Sequence, residues 1–236
     1  MTMIVSCEHA SNRVPEPYTS LFRHQREVLA SHLAYDLGAA ELARFLGGVC
    51  KAPLFLSSIS RLVMDCNRSA THPGLFSRFT RGLPPMEKEA LMADWYLPYR
   101  GEVYRAIKQT IAHAGLCLHL SVHTFTPELN GQMRNAEAGL LYDPTRKREN
   151  LFARTFQAKL QAELPSCRAR RNYPYRGVSD GLTAALRRSF AAEHYIGIEL
   201  EVNQALLSPS LHWPHSFLHS LGEILKKTIE NSCPAA

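Results

Sequence analysis

Short apolar runs alternate with longer segments of helical spacing along this chain of 236 residues. The runs that predict strands lie, in chain order, at 3–7, 54–59, 62–64, 116–123, 138–142 and 195–202. The segments that predict helices lie at 28–46, 86–114, 149–164, 182–190 and 215–231. Strands that alternate with helices favour a mostly parallel sheet with helices on its faces. We therefore predict an α/β fold and, since no repeat or linker interrupts the pattern, one domain over residues 1–236.

Composition and charge limit the classes of function. No run of about 18 apolar residues occurs, so we expect no membrane span. The net charge of +6 is concentrated at 146–148 and 168–171, without the interleaved aromatic residues that nucleic-acid binding would need. Positive charge can also steer a small anionic substrate. The six cysteines include no Cys-x-x-Cys pair, which favours reduced thiols and a cytoplasmic protein.

Four closely spaced polar residues surround the predicted strand at 62–64. Arg61 precedes this strand, and Asp65, Asn67 and Arg68 follow it. The tip of a strand in an α/β protein is where a ligand crevice forms. A guanidinium group binds a carboxylate through two parallel hydrogen bonds, so this group predicts a bound acid.

Two histidines stand at the ends of separate predicted strands. His9 follows the first strand, and His123 closes the strand at 116–123. The carboxyl ends of neighbouring parallel strands share one crevice. Two histidines and a carboxylate are the usual zinc ligands of a hydrolase, with one position open for water. Either Asp36, on the predicted helix 28–46, or Glu8 could supply the carboxylate.

The last predicted strand carries two glutamates on one face, Glu199 and Glu201. Two buried carboxylates are costly unless they are paired or functional. The alternative is an edge strand whose polar face is solvated. Glu201 lies nearer the exit of the strand, so we expect it to be a general base, while Glu199 is paired inside; the reverse assignment stays open.

These residues resemble the N-formylglutamate amidohydrolase family. The matching segments, in order, are 7–15, 32–39, 60–68, 121–127, 172–175 and 198–204. The family is similar in turn to the zinc carboxypeptidases, in which an Asp-x-Asn-Arg segment holds the substrate carboxylate. Carboxypeptidases place a glutamate three residues after the first histidine, where this chain has Asn12. The resemblance therefore favours Asp36 as the third ligand.

The resemblance implies a three-layer αβα sandwich of the zinc-exopeptidase type with a mixed, mostly parallel sheet. It implies hydrolysis of the amide bond of a small anionic N-acyl amino acid, above all of N-formyl-L-glutamate to formate and L-glutamate. Zinc, or another divalent metal, would be held by His9, Asp36 and His123. The other roles implied are Glu201 as base, Arg61 for the oxyanion, Asn67 and Arg68 for one carboxylate and Arg134 for a second.

Two other functions fit the same residues. The first is a related metal-dependent amidase or peptidase that acts on another N-acyl amino acid or a small peptide. The second is a binding protein that keeps the carboxylate clamp without catalysis. The metal content of the protein and a panel of N-acyl amino acids distinguish them.

Overall fold

A six-stranded sheet forms the centre of the protein, of which the computed structural model describes residues 2–231. Its strands are β1 (Thr2–Cys7), β2 (Leu54–Leu56), β3 (Cys117–Phe125), β6 (Ala138–Leu141), β7 (Ala169–Arg171) and β8 (Tyr195–Asn203). A separate antiparallel pair is formed by β4 (Glu128–Leu129) and β5 (Gln132–Met133). The strand order in the sheet is β2-β1-β3-β8-β6-β7, and only β6 and β8 are antiparallel. The prediction of a mixed, mostly parallel sheet is confirmed.

The helices connect these strands. Their bounds are α1 (Arg26–Leu29), α2 (Ala39–Val49), α3 (Pro85–Leu91), α4 (Leu97–Ala114), α5 (Lys147–Glu163), α6 (Leu182–Ser189) and α7 (His215–Asn231). A π-helical turn, Met92–Tyr96, joins α3 to α4. None of the helices within residues 2–231 is both long and apolar enough to cross a membrane.

Apolar side chains on both faces of the sheet create three layers. Helices α2, α5 and α7 cover one face, where alternate strand residues such as Val5, Leu120 and Ile198 are fully buried. Helices α3, α4 and α6 contribute to a second core on the other face, which includes Ile4 and Val103. Burying one such side chain stabilises the fold by about 1.5–3 kcal/mol. The predicted αβα sandwich is confirmed.

The face of the sheet that bears the second core also carries buried polar residues. Burial of a polar group is costly unless it is hydrogen-bonded, and these residues bond to one another across strands. His119 lies 2.8 Å from the Ser6 hydroxyl through Nε2 and 2.8 Å from the Tyr195 hydroxyl through Nδ1. Burial lowers its pKa to about 4, so it is a neutral core residue. The carboxyl end of the same polar row opens into the candidate site.

The predicted helix at 28–46 is wrong for residues 30–38, which are not helical. Helix α1 ends at Leu29, turns follow, and α2 begins only at Ala39, after Gly38 with a φ of 77°. The indole N–H of Trp213 donates to the Gly38 carbonyl over 2.8 Å, and the Asp36 N–H donates to the His9 carbonyl over 3.0 Å. These contacts with distant segments hold Asp36 outside any helix, and local periodicity does not reveal them.

The predicted strand at 62–64 is also wrong, because this segment is a turn. The Ser60 hydroxyl donates to the Ala34 carbonyl over 2.8 Å and accepts from the Leu62 N–H over 3.1 Å. Val63 and Met64 are apolar because they belong to the second core. The Asp65–Arg68 segment is therefore positioned by a turn and not by the tip of a strand.

Candidate active site

A cavity of about 290 Å³ opens at the carboxyl edge of β3 and β8. Eight of the residues that sequence analysis selected line it: His9, Asp36, Arg61, Asn67, Arg68, His123, Glu199 and Glu201. The four that come from strands or strand ends, His9, His123, Glu199 and Glu201, converge because β1, β3 and β8 are parallel neighbours whose carboxyl ends meet at one edge. The loop that follows β7, here called the covering loop, contributes Tyr175 and Arg176 to the lining of the cavity.

Three buried side chains form a cluster that could hold a metal ion. His9, Asp36 and His123 each offer one ligand atom, and these atoms lie within 4.8 Å of one another. The Asp36 Oδ2 atom lies 3.3 Å from Nδ1 of His9 and 2.9 Å from Nδ1 of His123. The ligands of a tetrahedral zinc ion lie about 2.0–2.2 Å from the metal and therefore a little over 3 Å from each other. The donor types and their spacing suit a zinc-like cation.

The outer nitrogen of each imidazole contacts a second carboxylate. Nε2 of His9 lies 2.7 Å from Oδ1 of Asp65, and Nε2 of His123 lies 2.9 Å from Oε2 of Glu8. Histidine ligands in metal sites usually have a carboxylate or carbonyl on their second nitrogen. The geometry thus separates the two rival carboxylates, because Asp36 lies on the inner side of both rings and Glu8 on the outer side.

Glu8 and His9 would point to opposite faces of the sheet if the first strand continued through them. Strand β1 ends at Cys7, and residues 8 and 9 form a turn. The alternation of side chains between the two faces of the strand therefore stops before His9. Glu8 contacts His123, and His9 contacts Asp36.

Charge holds the cluster together. Burial opposes ionisation of Asp36, but the adjacent imidazoles of His9 and His123 outweigh it and keep its pKa well below the ordinary range. Burial likewise opposes protonation of His123, but its contacts with Asp36 and Glu8 raise its pKa well above the usual value. A cation bound at the Nδ1 atoms would therefore have to displace a proton.

Arg61 bridges two of the carboxylates. Its Nη1 lies 3.3 Å from Oδ1 of Asp36, and its Nη2 lies 3.3 Å from Oδ2 of Asp65. The side chain also lines the cavity. A guanidinium has five N–H donors, so this arrangement leaves some of them for a ligand.

The two glutamates of β8 have different surroundings. Strand β8 lies between β3 and β6, which excludes the solvated edge strand. Glu199 accepts a hydrogen bond from the Thr183 hydroxyl. The Oε2 atom of Glu201 is buried and has no hydrogen-bond partner within residues 2–231. Burial raises the pKa of Glu201 to about 7.

Asn67 and Arg68, the residues predicted to bind a carboxylate, are held by the start of α6 and the residues before it. The Oδ1 atom of Asn67 accepts from the Leu182 N–H over 2.7 Å, which fixes the amide and leaves its NH₂ group for a ligand. Arg68 donates from Nη1 to the Asp180 carbonyl over 3.3 Å, and its Nε lies 3.8 Å from Asp65. Both side chains line the cavity.

Arg134, the expected ligand of a second carboxylate, is not among the residues that line the cavity. Its Nη2 donates to the Tyr175 hydroxyl over 3.1 Å, and its guanidinium lies 5.2 Å from the centre of the Tyr175 ring. Arg176 does line the cavity, and among the described residues it has no ion pair. Arg176 was not predicted from the sequence, where the available signal was its position directly after the matching segment 172–175.

Solved structures that share the fold were found. The product of gene Atu2144 from Agrobacterium tumefaciens is 28% identical with a TM-score of 0.82, over 97% of this chain and 90% of that one. An N-formylglutamate amidohydrolase from Ralstonia eutropha JMP134 is 14% identical with a TM-score of 0.73, over 98% and 94%. A metallo-carboxypeptidase from Burkholderia cenocepacia gives a TM-score of 0.40 at 10% identity, over 98% and 57%, which is too low to indicate a shared fold.

The family is identified by a match over most of the sequence. No curated protein matches this chain. The model of the N-formylglutamate amidohydrolase family, however, matches residues 1–208. The match includes all six segments on which the resemblance rests and every residue that lines the cavity. The chain therefore belongs to the N-formylglutamate amidohydrolase family, whose members are hydrolases of linear amides.

Proposed function

We propose that this protein is a metal-dependent amidohydrolase that converts N-formyl-L-glutamate to formate and L-glutamate. The observation that carries the proposal is the unpartnered, buried Oε2 atom of Glu201 in a cavity that also contains the cluster His9–Asp36–His123. A buried carboxylate oxygen without a donor is costly, so it indicates a place for a group that the substrate or an attacking water supplies.

The residues of the cluster fit a divalent metal, and zinc suits their chemistry best. Two imidazole nitrogens and one carboxylate oxygen form the set that hydrolytic zinc sites use. A divalent metal there would lower the pKa of water and polarise the amide carbonyl. Asp65 and Glu8 would orient the two histidines from behind.

Glu201 performs the proton transfers in this proposal. Its carboxylate accepts a proton as the water oxygen bonds to the acyl carbon, and it delivers this proton to the nitrogen as the C–N bond breaks. A pKa of about 7 suits both halves, because a base that must also act as an acid works best near the operating pH. Arg61 presents its remaining N–H donors to the negative charge that develops on the acyl oxygen.

Polar and positively charged side chains around the cavity bind the carboxylates of the substrate. The Asn67 NH₂ group and the Arg68 guanidinium bind the α-carboxylate. Arg176, at the covering loop, binds the second carboxylate of the glutamate side chain in place of Arg134. Arg134 instead fixes Tyr175 through its hydrogen bond and its stacking on the ring.

A substrate panel tests this function. The purified protein is assayed for release of free amine from N-formyl-L-glutamate, N-acetyl-L-glutamate, N-formyl-L-norvaline and a dipeptide. We expect the highest kcat/KM for N-formyl-L-glutamate. A preference for another acyl group or a peptide would support the related amidase, and binding of these acids without turnover would support the non-catalytic protein.

A further inference from the structure

We propose that Glu8 is a positioning residue that fixes the tautomer of His123 and so prepares it to bind the metal. This inference rests on the proposed metal site but assigns a role to a residue outside the cluster. Oε2 of Glu8 lies 2.9 Å from Nε2 of His123, on the side of the ring opposite the 2.9 Å contact between Nδ1 and Asp36.

Both oxygens of the Glu8 carboxylate are fixed by hydrogen bonds. Its residue is 1% exposed, and Oε1 accepts a hydrogen bond from the Tyr99 hydroxyl over 2.9 Å. The hydroxyl of Ser121, two residues before His123 on the same strand, donates to Oε2. Helix α4 and strand β3 thus fix the position of this carboxylate relative to the imidazole.

The charge of Glu8 has no other use within the described residues. Asp65, the corresponding carboxylate behind His9, also pairs with Arg61 and Arg68 and accepts the Asn67 N–H. The ion pair of Glu8 within residues 2–231 is with His123 alone. A buried carboxylate is costly unless it is paired, so its presence beside one imidazole points to a function in holding that ring.

The chemistry of imidazole gives the mechanism. A neutral imidazole carries its proton on one nitrogen and offers a lone pair on the other. An ionised carboxylate can only accept, so Glu8 selects the tautomer with hydrogen on Nε2. The lone pair then lies on Nδ1, the atom that faces Asp36 and the metal position.

A glutamine at position 8 would reverse this preference at nearly constant shape. Because the Tyr99 hydroxyl donates to Oε1, the amide oxygen would occupy that position and the NH₂ group would replace Oε2. The NH₂ group would donate to Nε2 of His123, which would move the ring proton to Nδ1 and remove the metal-binding lone pair.

The test compares the zinc affinity of three proteins by competition with a chelator: wild type, Glu8→Gln and Glu149→Gln. Glu149 is a matched control, because it is fully buried and bonds to Arg187, outside the candidate site. We expect Glu8→Gln to lose about 10- to 100-fold in zinc affinity, the usual effect of removing such an outer partner. Glu149→Gln should keep its zinc affinity but lose stability. The loss of stability is measured by thermal unfolding of the metal-free proteins.

The proposal is overturned if Glu8→Gln keeps the wild-type zinc affinity, or loses no more than Glu149→Gln does. Should Glu8→Gln not fold, Tyr99→Phe removes one anchor of the carboxylate and must still weaken zinc binding, though less. A wild-type protein without zinc affinity would overturn this inference together with the metal in the proposed function. Zinc binding without turnover of N-formyl-L-glutamate would contradict the proposed reaction alone, and the affinity test of Glu8 would still decide.

Discussion

At the scale of single residues, the contrast between the two glutamates of β8 gives the clearest division of roles. Both are buried on the same face and line the cavity. Oε1 of Glu199 accepts a hydrogen bond from the Thr183 hydroxyl, whereas Oε2 of Glu201 has no partner in the described part of the chain. The first environment stabilises the fold, and the second leaves a carboxylate available for chemistry.

This contrast predicts opposite effects of the two isosteric substitutions. Glu201→Gln should keep zinc binding and the unfolding temperature but lose about 10²- to 10⁴-fold in kcat, the usual contribution of a general base. Glu199→Gln should mainly lower the free energy of unfolding, by about 1–3 kcal/mol. Steady-state kinetics and denaturant unfolding measure both effects. Loss of turnover in Glu199→Gln with an active Glu201→Gln would reverse the assignment.

The raised pKa of Glu201 predicts an acid limb in the activity profile. The base acts only when ionised, so kcat/KM should rise with pH and be lost as the pH falls through the pKa. That pKa is about 7 because of burial, and a neighbouring cation would lower it, so we expect a midpoint at or below about 7. A pH profile measured on the zinc-loaded enzyme checks this, and a kcat/KM without an acid limb at any pH at which the enzyme stays folded would count against Glu201 as the base.

Two of the arginines that line the cavity, Arg68 and Arg176, should differ in what they recognise. Arg68→Ala should raise KM for every N-formyl amino acid by roughly 10- to 100-fold, since it removes a contact worth about 1.5–3 kcal/mol. Arg176→Ala should raise KM for N-formyl-L-glutamate but not for N-formyl-L-norvaline, which lacks the second carboxylate. Arg134→Ala is the comparison variant. An unchanged preference for glutamate over norvaline in Arg176→Ala would exclude this role.

At the scale of secondary structure, strand β6 shows how closely the segment before the covering loop's Tyr175 packs on the sheet. Gly139 pairs with Glu201, and a Cβ atom at this position would run into the carbonyl oxygen of Tyr173. The absence of a side chain lets the segment that leads to Tyr175 and Arg176 approach the sheet. This close approach is a contact between distant parts of the chain, so the sequence alone does not reveal it.

Gly139→Ala should therefore destabilise the protein, by about 1–3 kcal/mol for an overpacked site. Gly48, inside α2, is the matched control because a Cβ there meets no atom within 4 Å. Gly48→Ala should stabilise the helix by roughly 0.5–1 kcal/mol. Denaturant unfolding of both variants checks the prediction, and equal stability of the two would contradict the packing account.

The elements with strong periodicity could be predicted from the sequence, and those held by distant contacts could not. Strands β1, β3 and β8 and helix α7 follow their apolar patterns, because burial of those side chains against the sheet decides their structure. The predictions fail at 30–38 and 62–64, because long-range hydrogen bonds to His9 and Ala34 impose turns there.

The candidate site follows the same division. The residues that line the cavity at strand ends, such as His123 and Glu201, could be selected because their strands were recognised. Asp65 behind His9, Glu8 behind His123 and Arg176 in the covering loop depend on contacts across more than 50 residues or on the path of an irregular loop. Spacing along the sequence carries no information about such contacts.

At the scale of the whole molecule, the two faces of the sheet have different tasks. One face is mainly apolar and packs against α2, α5 and α7. The other carries a buried polar row, from Ser6 and His119 to His123, that ends at the cavity. Burial of the apolar layer offsets the cost of burying the polar row. The polar row in turn places the ionisable groups at one edge of the sheet.

Binding of a cation at this edge should stabilise the folded chain. A ligand that binds only the folded state adds about 2.7 kcal/mol at 100 times its Kd. Added zinc should thus raise the unfolding temperature of the metal-free protein, and His123→Ala should abolish most of this increase. An equal increase in both proteins would mean that zinc binds elsewhere.

The central claim is that a metal held by His9, Asp36 and His123 is required for hydrolysis of N-formyl-L-glutamate. The most direct measurement is a titration of the chelator-treated protein with zinc, with release of L-glutamate as the readout. We predict that the metal-free protein is inactive and that activity returns in proportion to zinc, up to one equivalent per chain. Full activity after complete removal of metal would contradict the account.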